Sequence, residues 1–187
     1  MFRGRREERR DERQQEHAIF GRGGNATRYQ MRQRLASIGD DYNIENDRGE
    51  RAFHIDGKAL RIRNTLIFED PQGHELCKIQ ERVLRVKDTM VIEGPGGETL
   101  AIVKKALITP LRERWTVKVG TGPDLEIQGN ILDHEYEMEG AGHKVAEVSK
   151  KWFRVADTYG VEIEPDQNDV VILAATAAVD MMAHPDR

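Results

Sequence analysis

Two short segments interleave cations with aromatic rings. Lys104, Lys105, Arg112 and Arg114 flank the corner at Thr109, Pro110 and Leu111 beside Trp115, and Lys150, Lys151 and Arg154 bracket Trp152 and Phe153. Ammonium and guanidinium groups attract anionic headgroups while neighbouring rings rest at an interface, so the chemistry open to this pattern is anion or phospholipid binding. It requires a fold that brings the two segments together. The plainer alternative is that the cations are outward strand residues on an acidic domain and the rings point inward.

Other reactive residue types lack the spacing their chemistry needs. Cys77 lies between Leu76 and Lys78; a reactive thiol needs an electropositive, accessible setting, so Cys77 reads as a small core residue. The run HEYEM at His134 lacks the second histidine of a zinc helix, and the other histidines are far away in sequence, so no metal site is expected. Asp41, Asn43 and Glu45 have the spacing that opens a calcium loop, but Asn46 occupies the position that needs glycine and Ala52 the place of the bidentate acid. The glycine-rich stretches at Gly94 and Gly120 follow strand-like runs and open no helix, which makes them turns and not phosphate cradles. No catalytic residue and no cofactor is expected.

Composition narrows the class. The chain has 187 residues, 29 Lys plus Arg against 33 Asp plus Glu, and a net charge of −4. That length suits one domain with a tail, and the acidic balance argues against a nucleic-acid partner, which would call for a large positive field. The single cysteine excludes an internal disulfide, and no charged-then-apolar leader opens the chain. A cytoplasmic monomer is therefore expected, at most peripheral to a membrane. Residues 1–28 carry eight Arg and five acids with almost no apolar periodicity, and read as a disordered Arg-rich tail of charge +3 ahead of a domain, residues 29–187, of charge −7.

From Tyr29 onward, short alternating runs are punctuated by Gly, Asn, Asp or Pro, which is the pattern of β-hairpins. The segment from Thr65 to Gln80 aligns without a gap onto Thr89 to Lys104, each reading as strand, turn, strand around Pro71 and Gly73 or Pro95 and Gly97. Looser copies run from Tyr42 to Ile55 and from Tyr136 to Val148. Further runs at Tyr29–Leu35, Ala59–Arg63, Val83–Lys87, Trp115–Val119, Leu125–Gln128 and Tyr159–Ile163 bring the count to about twelve strands. Asp169 to His184 breaks the pattern. It reads as a helix, capped by Asn168 or Asp169, with no charged face between Val170 and Val179, so it must be buried on every side. A bilayer span needs ~20 apolar residues, and this run offers roughly 14 with Asp180 inside it, which favours burial in protein over lipid.

Geometry joins the strands to the helix. Twelve strands spaced ~4.8 Å apart and tilted ~40° close into a barrel of radius ~12 Å, and a helix with side chains has a radius of ~5–6 Å, leaving one layer of inward side chains between them. The expected fold is mainly β, an antiparallel closed barrel of about twelve strands enclosing a hydrophobic C-terminal helix.

Six stretches carry a family resemblance: Arg28–Asp41, His54–Ala59, the two repeated hairpins, Lys150–Ile163 and Asp169–Asp180. Together they resemble the LURP-one-related family, whose fold is related to tubby C-terminal domains and phospholipid scramblases. The resemblance implies the same barrel around a helix and brings no catalytic motif. The expected function is a non-enzymatic binding or scaffold domain, docking on anionic phospholipid or on a protein partner. The alternative is a scramblase-like membrane-associated protein with its C-terminal helix in lipid.

Overall fold

The computed structural model describes residues 25–33, 42–57, 65–81, 89–109, 112–153 and 158–184. Twelve strands come first: β1 (Thr27–Gln33), β2 (Tyr42–Asn46), β3 (Arg51–Asp56), β4 (Thr65–Glu69), β5 (Glu75–Glu81), β6 (Thr89–Glu93), β7 (Thr99–Thr109), β8 (Arg112–Val119), β9 (Leu125–Asn130), β10 (Glu135–Gly140), β11 (His143–Ser149) and β12 (Thr158–Ile163). A single helix, α1 (Asp169–Ala183), ends the described chain. Each strand pairs antiparallel with its sequence neighbours, and β1 also pairs with β12, so the sheet closes into a barrel. Closure leaves no open edge to recruit another chain.

The four hairpins expected from the internal repeat share one construction. β4–β5 and β6–β7 pair in the same register, Thr65 opposite Gln80 and Thr89 opposite Lys104. A bulge precedes the turn in both, at Phe68/Glu69 and Ile92/Glu93, and it recurs at Ile44/Glu45 in β2 and Met138/Glu139 in β10. In every case an apolar residue pointing inward is followed by a glutamate at the bulge, which sharpens the local twist as the chain enters the turn. Gly73 and Gly97 then hold φ of 85° and 82°, a conformation that costs glycine little and other residues much. Asp70 secures the first of these turns by accepting backbone N–H bonds from Gln72 and His74 at 2.8 and 2.9 Å.

Inward positions of the wall form one core with the helix. Met31, Ile44, Ile55, Phe68, Ile79, Ile92, Val103, Val117, Met138 and Val161 are buried, and so is every residue of α1 from Val171 to Asp180. The helix packs most closely on β5, β6, β7 and β12. Asn168 caps it by accepting from the Val171 N–H, and the Thr176 hydroxyl donates to the Ile172 carbonyl at 2.9 Å, which lets a polar residue sit in the bore. The Tyr29 hydroxyl donates to Asp169 at 2.6 Å and ties β1 to the first helical turn. The bore is closely filled at the small residues. Ala174 and Ala178 are fully buried, so replacing either by Phe should cost ~1–3 kcal/mol through overpacking, measurable as a lower urea midpoint; an unchanged midpoint would mean slack space around the helix.

Some boundaries differ from expectation. β1 starts at Thr27, inside the segment read as tail, because Thr27 and Arg28 pair with Ile163 and Glu162 and Arg28 bonds the Glu162 carboxylate at 2.7 Å. The rest of the expected tail, residues 1–24, lies outside the described residues. So do the expected strands Ala59–Arg63 and Val83–Lys87, and the twelve strands arise without them.

Candidate functional site

The barrel has two chemically unlike ends. α1 starts at the end where the hairpins make their tight turns, and those turns carry Asp47, Glu50, Asp70, Glu98, Asp124 and Asp166, with Arg48 as their only Lys or Arg. A half-open cleft of about 560 Å³ lies there, lined by Pro123, Leu125, His143, Val145, Pro165 and Val171 among others. At the opposite end α1 finishes, and both cationic segments identified in the sequence reach it.

The pairing places them. Trp115 lies opposite Ile127, Asn130 opposite Glu135 and Glu135 opposite Ser149, so the start of β8 and the end of β11 share this end with β9 and β10 between them. Three strand spacings separate the two groups by ~14 Å, which brings them to one face without merging them into one cluster. Lys104 is half-buried on β7 opposite Thr89 and Thr116. Lys105 holds its Nζ 5.2 Å from the centre of the Trp115 ring. Arg112 opens β8 opposite Thr109, and the exposed Arg114 pairs with Glu126. Lys150 is exposed, and Lys151 bonds Glu135 at 2.9 Å. Arg154 lies outside the described residues. Trp115 and Phe153 are buried and Trp152 is half-buried, so the rings face the core as the plainer alternative held. Among the described residues, the large apolar side chain that this end presents to solvent is Leu132, 64% exposed in the turn between β9 and β10.

Glu135 positions the lysines. Burial raises its pKa, but hydrogen bonds from Lys151, from the Ser149 hydroxyl and from the backbone N–H groups of Lys151 and Lys150 outweigh that and hold the carboxyl below its ordinary range. The turn after β11 is thereby fixed to the start of β10.

Beneath this surface lies a polar cluster that sequence reasoning did not assemble. Asp180, on the last turns of α1, is buried. Its Oδ2 accepts from the Tyr42 hydroxyl at 2.8 Å, and its Oδ1 meets Nε2 of His134 at 2.6 Å and Nδ1 of His184 at 2.9 Å. Burial pushes the Asp180 pKa up, yet the hydrogen bond and charge of His134, the Tyr42 hydroxyl and the charge of His184 together hold it below the ordinary value. His134 has the left-handed φ of 53° and stacks on Tyr159 with ring centres 4.4 Å apart. Burial first, and then the Asp180 charge, raise the pKa of Tyr159. The expectation of no metal site rested on the distance between histidines along the chain, and the fold removes that distance for His134 and His184. A signal was present: a lone acid inside an apolar helix with a histidine four residues on, both on one helical face.

Cys77 behaves as expected. It is buried opposite Phe68, and burial pushes its thiol up to about 12. Its repeat counterpart Ala101 is buried too.

These features define a class, the twelve-stranded antiparallel barrel closed around its own C-terminal helix. A family model described as LURP-one-related matches residues 27–180, and the chain belongs to that family. It is similar to the uncharacterized protein YxjI of Bacillus subtilis (strain 168), 23% identical over 156 residues that span 83% of this chain and 93% of that one. A solved structure of an Arabidopsis thaliana protein shares the fold, with a TM-score of 0.59 and 15% identity, covering 82% of this chain and 89% of that chain.

Proposed function

We propose that the domain is a non-enzymatic cytoplasmic binding module that docks on anionic phospholipid through the end of the barrel where α1 finishes. The observation that carries this reading is the exposed Leu132 at a surface that also presents Arg114, Lys150 and Lys151, opposite the acidic turns. An apolar side chain entering the headgroup layer beside lysines held near the surface is the usual logic of peripheral attachment. The filled bore supports binding at an outer surface in preference to turnover in an internal chamber. No described helix is long and apolar enough to cross a membrane. A scramblase-like role with the helix in lipid would require α1 to leave the bore and strip Asp180 of its partners, so the enclosed helix favours docking.

Vesicle co-sedimentation tests the proposal. The protein should partition onto vesicles containing phosphatidylserine more than onto phosphatidylcholine alone, and lose that preference as salt rises. Removing Lys150 and Lys151 together should weaken partitioning by about fivefold for each charge, following ~1 kcal/mol per basic residue at an anionic surface. Equal partitioning onto both vesicle types would remove the lipid reading and leave a protein partner.

A further inference from the structure

As its hydrogen bonds stand, His184 needs a cation at the ring nitrogen that faces Asp180, whether a proton or a metal ion. Nε2 of His184 faces the Leu132 carbonyl oxygen at 3.2 Å, an atom that only accepts, so that nitrogen carries a proton. In a neutral ring Nδ1 then bears a lone pair, and it points at Oδ1 of Asp180 at 2.9 Å and at the Asp180 carbonyl oxygen at 3.2 Å. Acceptors that close repel each other unless a cation joins them, either a second proton on the ring or a metal ion bonded to both. His134 Nε2 approaches the same carboxylate oxygen, so one ion could serve all three groups.

We propose that His134, Asp180 and His184 form a binding site for a divalent transition metal of the zinc class. The three ligand atoms lie within 4.8 Å of one another, two of the residues are buried, and His184 is half-buried at the end of the helix, which leaves a route from solvent. Two imidazoles and one carboxylate suit Zn²⁺ and disfavour Ca²⁺ and Mg²⁺, which take oxygen ligands. Tetrahedral zinc at ~2.0–2.1 Å from each ligand sets those atoms ~3.3 Å apart, so the present contacts of 2.6 and 2.9 Å need to open by less than ~1 Å.

The surroundings resemble the outer shell of a metal site. His184 places its second nitrogen on a backbone carbonyl, and Tyr42 holds the second oxygen of Asp180, which together orient both ligands. Among the described residues the enclosed Tyr159 hydroxyl has no hydrogen-bonding partner, while its ring stacks on His134. The turn holds His134 at a φ of 53°, a left-handed conformation uncommon for residues other than glycine.

The test uses the full chain, stripped with EDTA and titrated with Zn²⁺ in competition with a chromophoric chelator, with Co²⁺ as a spectroscopic probe. One ion per chain is expected, with a dissociation constant of micromolar or tighter, visible bands of tetrahedral Co²⁺, and a melting temperature raised by ~5–10 °C at a hundredfold excess over that constant. His184→Gln, at the outer edge of the cluster, should still melt cooperatively and bind at least ~10-fold more weakly. The control His74→Gln/His143→Gln removes exposed histidines and should bind as tightly as the unchanged protein. Absence of saturable binding at micromolar Zn²⁺ would overturn the proposal and leave the cluster held by protons alone. Binding that survives His184→Gln, or is lost in the exposed-histidine control, would overturn it as well.

Discussion

Ending the chain at Asn168 will abolish the folded barrel, seen as loss of the cooperative thermal transition and of the near-ultraviolet signal of the buried Trp115. α1 buries Val171, Ile172, Leu173 and Val179 along with four alanines. At ~1.5–3 kcal/mol for each large aliphatic side chain, those four alone contribute ~6–12 kcal/mol, comparable to the whole stability of an ordinary domain. The wall is affected as much as the helix, because Ile79, Ile92, Val103 and Val161 would face an open bore. Twelve strands cannot close more tightly to compensate, since strand number and tilt set the radius. A truncated chain with a sharp melt and dispersed amide resonances would show that the wall stands alone. It would also revive the reading in which the helix leaves the barrel for lipid.

The second large effect centres on Asp180. Asp180→Ala should cost ~3–5 kcal/mol in urea unfolding, the usual penalty for removing one member of a buried ionic group. Its carboxylate is the meeting point of Tyr42 from β2, His134 from the β9–β10 turn and His184 at the helix end. Deleting it removes the shared acceptor of the buried Tyr42 and His134 and of the half-buried His184. Tyr42→Phe removes a single bond to the same oxygen pair and should cost less, ~1.5–3 kcal/mol for a bond to a charged acceptor. Both figures apply to protein in EDTA, so that metal binding does not enter. A loss below ~1 kcal/mol for Asp180→Ala would mean that the contacts are incidental and that hydrophobic filling alone keeps the helix in place.

Much of the fold was legible because the barrel wall is buried on one face only. In β10, Tyr136 and Met138 are buried while Glu137 is exposed, and that contrast is written directly in the order of residues. The repeat carried register as well: two segments with the same order of Thr, Pro, Gly and Leu folded into hairpins with equivalent pairs and equivalent bulges. The bulges themselves were not foreseen. A glutamate after an apolar residue is too common a sequence to mark one, and only the pairing shows that the recurrence is structural.

The cationic segments were half legible. Their arrival at one end follows from antiparallel order, and the sequence reading had left that meeting as a condition of any anion site. The inward direction of Trp115 was the alternative reading, decided by strand phase, and Phe153 is buried in the turn beyond β11. Leu132 was not singled out, since one leucine in a turn has no periodicity to reveal it.

The order of residues by itself determined the strands, the turns and the helix, because backbone geometry imposes periods of two and 3.6 on any face that meets a core. It also determined that the helix belongs inside, since an apolar stretch too short for a bilayer has to be covered by protein. Only the tertiary structure decided what gathers at each end. Whether His134 meets His184 depends on barrel closure, on the register of β9 against β10 and on where α1 stops, and each of these is set by the packing of many side chains at once. Contacts between distant parts of a chain leave no local pattern, which is why the Asp180 cluster became visible only in three dimensions.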